Sequence, residues 1–147
     1  MRFIIRPLIG VNDIEFDMSP EQVRCAMNRS FRSFDVRGPF GLNRSDQFHE
    51  AGKIAHYDAD WLLEAVDFYS PARVLVCDAN LMKLSIRRAG AVLSRLDPGV
   101  IVDRDGARAR SLSLAAWSPE AYQSIDVRVD SFLAGRLGYY DLVGEHG

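Results

Sequence analysis

Ile14-Glu15-Phe16-Asp17-Met18-Ser19-Pro20-Glu21-Gln22-Val23-Arg24-Cys25-Ala26-Met27 reads as the end of a strand, a helix start and a short amphipathic helix. Ser19 suits the N-cap, Pro20 suits the first helical position, and Gln22 completes a capping box by reaching back to the cap. Val23, Ala26 and Met27 fall at i, i+3 and i+4 and make one apolar face. Glu21 stands in the first turn, where the helix dipole favours a negative charge. The pattern predicts a helix over Pro20–Met27. Upstream, Phe3 to Ile5 is a short strand ended by Pro7, Gly10 to Asn12 is a turn, and Ile14 and Phe16 alternate as a strand does.

Downstream, Asn28 to Ser45 has the composition of a loop, with Gly38, Pro39, Gly41 and Asn43. It interleaves Arg29, Arg32, Arg37 and Arg44 with Phe31, Phe34 and Phe40. Asp46 to Glu50 and Lys53 to Asp58 form a hairpin around Gly52. Leu62 to Tyr69 is a strand, and Arg73 to Cys77 a buried one. Asn80 to Leu96 carries helical spacing, interrupted by Gly90 and ended by Asp97-Pro98-Gly99. Val100 to Val102 and Ala107 to Ala115 form a second hairpin with Asp105-Gly106 as its turn. Ile125-Asp126-Val127-Arg128-Val129-Asp130 alternates strictly. It predicts a half-buried antiparallel strand with Ile125, Val127 and Val129 inward and Asp126, Arg128 and Asp130 outward. The tail from Gly135 is expected to be only partly ordered.

The two halves share one order: helix, hairpin, third strand. The expected fold is α+β, a single domain over 1–147. An antiparallel sheet carries two helices on one face, and two related α-β-β-β halves span about 14–77 and 80–132. Val23, Met27, Val66, Phe68, Leu93, Ile125, Val127 and Val129 are the expected core.

Ile14-x-Phe16-x-Met18-Ser19-x-x-x-Val23 resembles the F-G-M-S/T-x-x-x-V opening of the repeats in β-lactamase-inhibitor-protein-like domains. It is also similar to small bacterial immunity proteins encoded beside polymorphic toxins. Asp17 stands where that superfamily usually has Gly. The resemblance implies repeats of a helix followed by antiparallel strands sharing one curved sheet, and a protein that binds proteins and is not an enzyme.

Composition bounds the function. The chain has 147 residues, 48% of them hydrophobic, with net charge −2 and pI about 5.9. That balance speaks against a general nucleic-acid binder, which is basic. All the basic residues except Lys53 and Lys83 are arginine, a residue enriched at interfaces. Two cysteines without a pairing motif, no signal peptide and no long apolar run predict a cytoplasmic protein without a membrane span.

The residues suggest little chemistry. His49 and His56 sit on the two arms of one hairpin near Asp46, Glu50 and Asp58, but lack metal-ligand spacing, so no metal and no cofactor is expected. Cys25 and Cys77 have no partner for nucleophilic catalysis, and Cys77 extends an apolar run as a small hydrophobe would. Asp103-Arg104-Asp105-Gly106 is better explained as a turn than as a Ca²⁺ loop. No phosphate-binding glycine loop and no Gly-x-Ser-x-Gly is present.

Two surfaces remain as candidates for binding. One is the Arg/Phe segment, with Arg29, Arg32, Arg37, Phe40 and Arg44. The other is an open sheet face with Asp67, Tyr69, Asp126, Arg128 and Asp130. The expected function is a non-catalytic protein-binding module, a bacterial immunity or inhibitor protein that occludes a cognate toxin or effector. The alternatives are a small enzyme or ligand-binding protein with a helix–sheet pocket, and RNA binding through the Arg/Phe segment.

Overall fold

A computed structural model describes residues 1–38 and 41–139. The chain opens with three short strands, β1 (Arg2–Arg6), β2 (Gly10–Val11) and β3 (Ile14–Glu15), and reaches helix α1 (Pro20–Met27). Four strands follow: β4 (Arg32–Gly38), β5 (Gly41–Phe48), β6 (Lys53–Tyr57) and β7 (Leu63–Tyr69). Then come β8 (Arg73–Val76), β9 (Ala79–Asn80), a 3-10 turn at Leu81–Lys83 and helix α2 (Ile86–Leu93). Four more strands close the chain: β10 (Ile101–Asp103), β11 (Gly106–Ala109), β12 (Leu114–Trp117) and β13 (Ser131–Gly135). Among the described residues no helix is long and apolar enough to cross a membrane.

The α1 start follows its local chemistry. Ser19 Oγ accepts from the Gln22 N–H at 3.3 Å, and Gln22 Oε1 accepts from the Ser19 N–H at 2.9 Å. Asn28, in the left-handed region at φ 47°, ends the helix. Ser85 caps α2 by accepting from the Arg88 N–H.

An eight-stranded sheet has the order β10-β11-β12-β13-β7-β6-β5-β4, antiparallel throughout. The order is a palindrome of the chain: each helix is followed by four strands laid down in sequence, and the last strands of the two units, β7 and β13, pair at the centre. The α+β class and both helices on one face agree with the sequence reading, but each unit has four strands rather than three. The five-stranded sheet β3-β2-β1-β8-β9, whose β1–β8 pair is parallel, lies on the same side as the helices. Phe3 of β1 packs on Phe68 of β7 with ring centroids 4.9 Å apart.

The core fills the space between these layers. Val23, Met27, Val66, Phe68, Leu93 and Val129 are buried as expected, and Ile125 and Val127 are partly buried against them. Asp46 is buried with them. It accepts from Arg24 at 2.7 and 3.0 Å, from Ser33 Oγ at 2.6 Å and from Tyr57 OH at 3.0 Å, which ties α1 to the sheet. Lys53 is wholly buried, its Nζ 3.3 Å from Met27 Sδ and 5.2 Å from the Phe3 ring centroid.

Five sequence expectations are corrected. Asn28 to Ser45 is no loop: Arg32–Gly38 and Gly41–Phe48 pair as a hairpin up to Gly38–Gly41. Asn43 pairs with Val36 inside the ladder, and Arg32 and Arg37 sit on β4, an edge strand of the kind that charges keep from pairing further. Ile125 to Asp130 is not a strand of the sheet. It pairs instead with the segment that leads into α2, through Val129 N–H to Leu84 O, Ile86 N–H to Val127 O and Arg87 N–H to Ile125 O. Its alternating burial survives because that segment offers the same backbone donors and acceptors as a strand would. The helix expected over Asn80 to Leu96 is α only at Ile86–Leu93, because Asn80 caps a separate 3-10 turn. Cys77, like Cys25, is exposed: it lies in the β8–β9 turn at φ 49°, past the end of the apolar run. Of the tail expected to be loose from Gly135, Gly135 itself belongs to β13, Arg136 is held by carboxylates and Tyr139 lies on Gly135, while residues 140–147 lie outside the described residues.

Candidate functional site

Register decides which side chains share a face, because neighbours across a ladder point the same way. One row crosses all eight strands: Arg32, Gln47, Ile54, Asp67, Leu133, Ala115, Arg108 and Ile101. None of these residues is buried. The next row, from Asp46 through Ala55, Val66, Ala134 and Leu114 to Ala109, points the other way and is buried throughout. The helices therefore cover one face of the sheet and leave the other free of them.

The helix-free face has a polar clasp near its centre. Ser45 and His56 are direct cross-strand partners, and Asp67 lies on the adjoining strand. Ser45 Oγ lies 2.7 Å from His56 Nδ1, and His56 Nε2 lies 2.8 Å from Asp67 Oδ2. With Asp67 accepting the Nε2 proton, Nδ1 is left to accept from the Ser45 hydroxyl. This is the connectivity of a nucleophile, a base and an orienting acid. Yet Ser45 is 0% exposed, so its Oγ has no path to a substrate. The trio is a clasp across β5, β6 and β7. Beside it, Gln47 Nε2 donates to Tyr69 OH at 2.8 Å, bridging the same three strands.

Around the clasp the face is apolar and aromatic. Ile54, Leu133 and Tyr69 are partly exposed, and Trp117, level with Tyr69 through Ser131, is 46% exposed. Arg32 stands at one margin and Arg108 near the other, the latter held by Asp103 at 2.9 and 3.0 Å. These hydrogen bonds hold the Asp103 carboxyl below its ordinary range. At one end the chain turns back, and the Tyr139 ring lies on Gly135, where a Cβ would come within 2.8 Å of it. Burial, with the Glu64 and Asp67 charges nearby, raises the Tyr139 phenol far above its ordinary value.

The sequence-predicted residues separate. Arg32, Asp67 and Tyr69 do share the helix-free face. Arg37 and Arg44 project from the opposite side of the hairpin, where Arg44 pairs with Asp35 at 3.3 Å and stacks 4.4 Å over Trp61. Arg29 lies in the link between α1 and β4, beside a cleft bordered by Met27 and Glu50. Phe40 lies outside the described residues. Asp126, Arg128 and Asp130 are not on the open face, because their segment pairs beside the start of α2. Asp126 binds Arg87 at 2.9 Å, and Arg128 donates to Met82 O at 3.0 Å.

Sequence reasoning missed Ser45, Gln47, Leu133 and Trp117, and weighed His56 only as a metal ligand beside His49. The alternation of Ser45-x-Gln47 against Ile54-x-His56 carried a signal, since both pairs face one way in the register the Gly52 turn sets (φ +72°). Leu133 and Trp117 had no such signal, because their strands were placed elsewhere. Among the described residues no group of three or more His, Cys, Asp or Glu side chains is placed to hold a metal ion. Compared with family models, with curated proteins and with solved structures, the chain finds no match.

Proposed function

We propose that this protein is a non-catalytic protein-binding module that seats a folded protein on the helix-free face of its eight-stranded sheet. Its role would be that of an immunity or inhibitor protein covering the active site of a cognate toxin or effector. The observation that carries this reading is the unbroken row from Arg32 to Ile101, unburied on every strand while its neighbour row is core. Seven interstrand spacings of about 4.8 Å take that row over about 34 Å, and a five-residue strand adds about 17 Å the other way. That footprint, with side-chain relief, approaches the roughly 800 Å² per partner of a standard protein interface and exceeds what a small ligand covers. Its anatomy fits as well: an aromatic and aliphatic centre at Tyr69, Trp117, Ile54 and Leu133, with arginine toward the margins. Arg44, Arg108 and Arg136 are engaged by carboxylates within the chain, which leaves less free positive charge for RNA.

The test is calorimetry with the toxin or effector domain encoded beside this gene. Trp117→Ala and Tyr69→Ala should each weaken the complex by about 2 kcal/mol, roughly thirtyfold, with an unchanged circular dichroism spectrum. Undiminished affinity in the double variant would remove the helix-free face from the interface. Binding of RNA with a steep salt dependence, and of no protein, would replace the reading with nucleic-acid binding.

A further inference from the structure

The two ends of the central β7–β13 pair are built on one backbone frame. In each unit, the residue just before the helix cap accepts a hydrogen bond from the chain leading into the central strand. Leu63 N–H donates to Met18 O ahead of Ser19, and Val129 N–H donates to Leu84 O ahead of Ser85. By this correspondence Asp17 of the first unit matches Lys83 of the second, two residues before the cap in each.

The ends differ in charge and in what fills them. At the first, β13 runs out into Arg136, whose guanidinium occupies an acidic nest. It lies 2.8 Å from Asp17, 2.8 Å from Asp58 and 3.7 Å from Glu64. At the second, β7 runs out into Ser70-Pro71, and among the described residues no side chain fills the space. An open cleft of about 450 Å³ stands there, with Arg73, Lys83 and Arg128 among its lining residues. Arg128 is anchored by its Nε on Met82 O, which leaves four of its five donors available. Among the described residues Arg73 and Lys83 have no ion-pair partner.

We propose that this cleft is a binding site for a carboxylate side chain of an acidic peptide segment, the charge-inverted counterpart of the nest that holds Arg136. The volume lies in the range of small-ligand sites. Forked guanidinium donors beside an ammonium suit a carboxylate. Glu120 and Asp130 also line the cleft and break up its positive surface. A carboxylate on a peptide can sit between them, whereas a dense polyanion needs an uninterrupted cationic track. This site goes beyond the helix-free face and does not rest on that face binding anything.

The experiment is a titration of ¹⁵N-labelled protein with hexaglutamate, followed by amide chemical shifts. Hexaglutamine, inorganic phosphate and oligouridylate at matched ionic strength are the comparison probes. Hexaglutamate should give saturating shifts at Arg73, Lys83, Ser118 and Arg128, and hexaglutamine none. Arg73→Glu and Lys83→Glu, both at exposed positions, should each weaken binding at least about tenfold while leaving the remaining spectrum in place. The proposal is overturned by any of three results: no saturation by about 1 mM, the weak limit of useful affinity; unaltered affinity in both reversal variants; or phosphate or oligouridylate shifting the same amides more tightly than hexaglutamate. Because the peptide reads the cleft alone, failure here leaves the reading of the helix-free face standing.

Discussion

Lys53→Met should stabilise this protein at neutral pH, although it removes a hydrogen bond and a cation–π contact. Lys53 is fully buried between cross-strand Phe48 and Phe68, and the polar contact of its Nζ is the Met27 thioether. Burial without a carboxylate lowers its pKa from 10.5 to about 7. Between those two values the unfolded chain binds the extra proton and the folded protein does not, so stability rises with pH across that window. The full difference corresponds to about 5 kcal/mol, most of it already lost by pH 7. The Phe3 ring returns at most about 2 kcal/mol to the charged form. Methionine fills a similar volume and carries no charge, so the net gain at pH 7 is about 2–4 kcal/mol. Urea unfolding at a series of pH values measures this, and a slope of about 1–3 kcal/mol per molar converts the gain into a midpoint higher by about 1–2 M. The gap between the two proteins should close as pH approaches 10.5 and the wild-type amine becomes neutral in both states. A gap that stays constant from pH 7 to 10, or a variant less stable than wild type at pH 7, would refute the reasoning.

Two further outcomes follow from the packing. Asp46→Ala should cost about 2–3 kcal/mol in chemical denaturation, since it leaves the buried Tyr57 hydroxyl without its acceptor and the half-buried Arg24 without its counter-charge. Burial alone would raise the Asp46 carboxyl, but hydrogen bonds from Arg24, Ser33 and Tyr57 outweigh it and hold the pKa below its ordinary value. Wild-type stability should therefore fall as pH drops through the carboxylate range, and the variant should show less of that loss. Gly90→Ala, which gains about 1 kcal/mol of helix propensity, should nevertheless destabilise by about 1–2 kcal/mol in thermal melts. A Cβ there would stand 2.3 Å from Val102 Cγ2, so the Val102 side chain or α2 itself would have to shift.

The sequence by itself determined the elements whose hydrogen bonds close within a few residues. Ser19, Pro20 and Gln22 specify the start of α1 without help from any other part of the chain, and Gly52 sets the β5–β6 turn in the same way. Period-two alternation also told correctly which side chains of Ile125 to Asp130 turn inward. It could not say what that segment pairs with, because every extended backbone offers the same donors and acceptors. Only the tertiary structure placed it against the approach to α2 and gave the central position to Ser131–Gly135. The same limit hid the β4–β5 hairpin: Gly38, Pro39, Gly41 and Asn43 gave the whole segment a loop's composition, while its ladder is made of backbone bonds that composition does not report. Ser45, His56 and Asp67 sit 11 residues apart in turn, so their clasp exists only through the registers of three strands. Lys53 is the clearest case. Nothing local marks a lysine for burial, and its lowered pKa arises because Phe3, Met27, Phe48 and Phe68 arrive around it from four separate elements and exclude water.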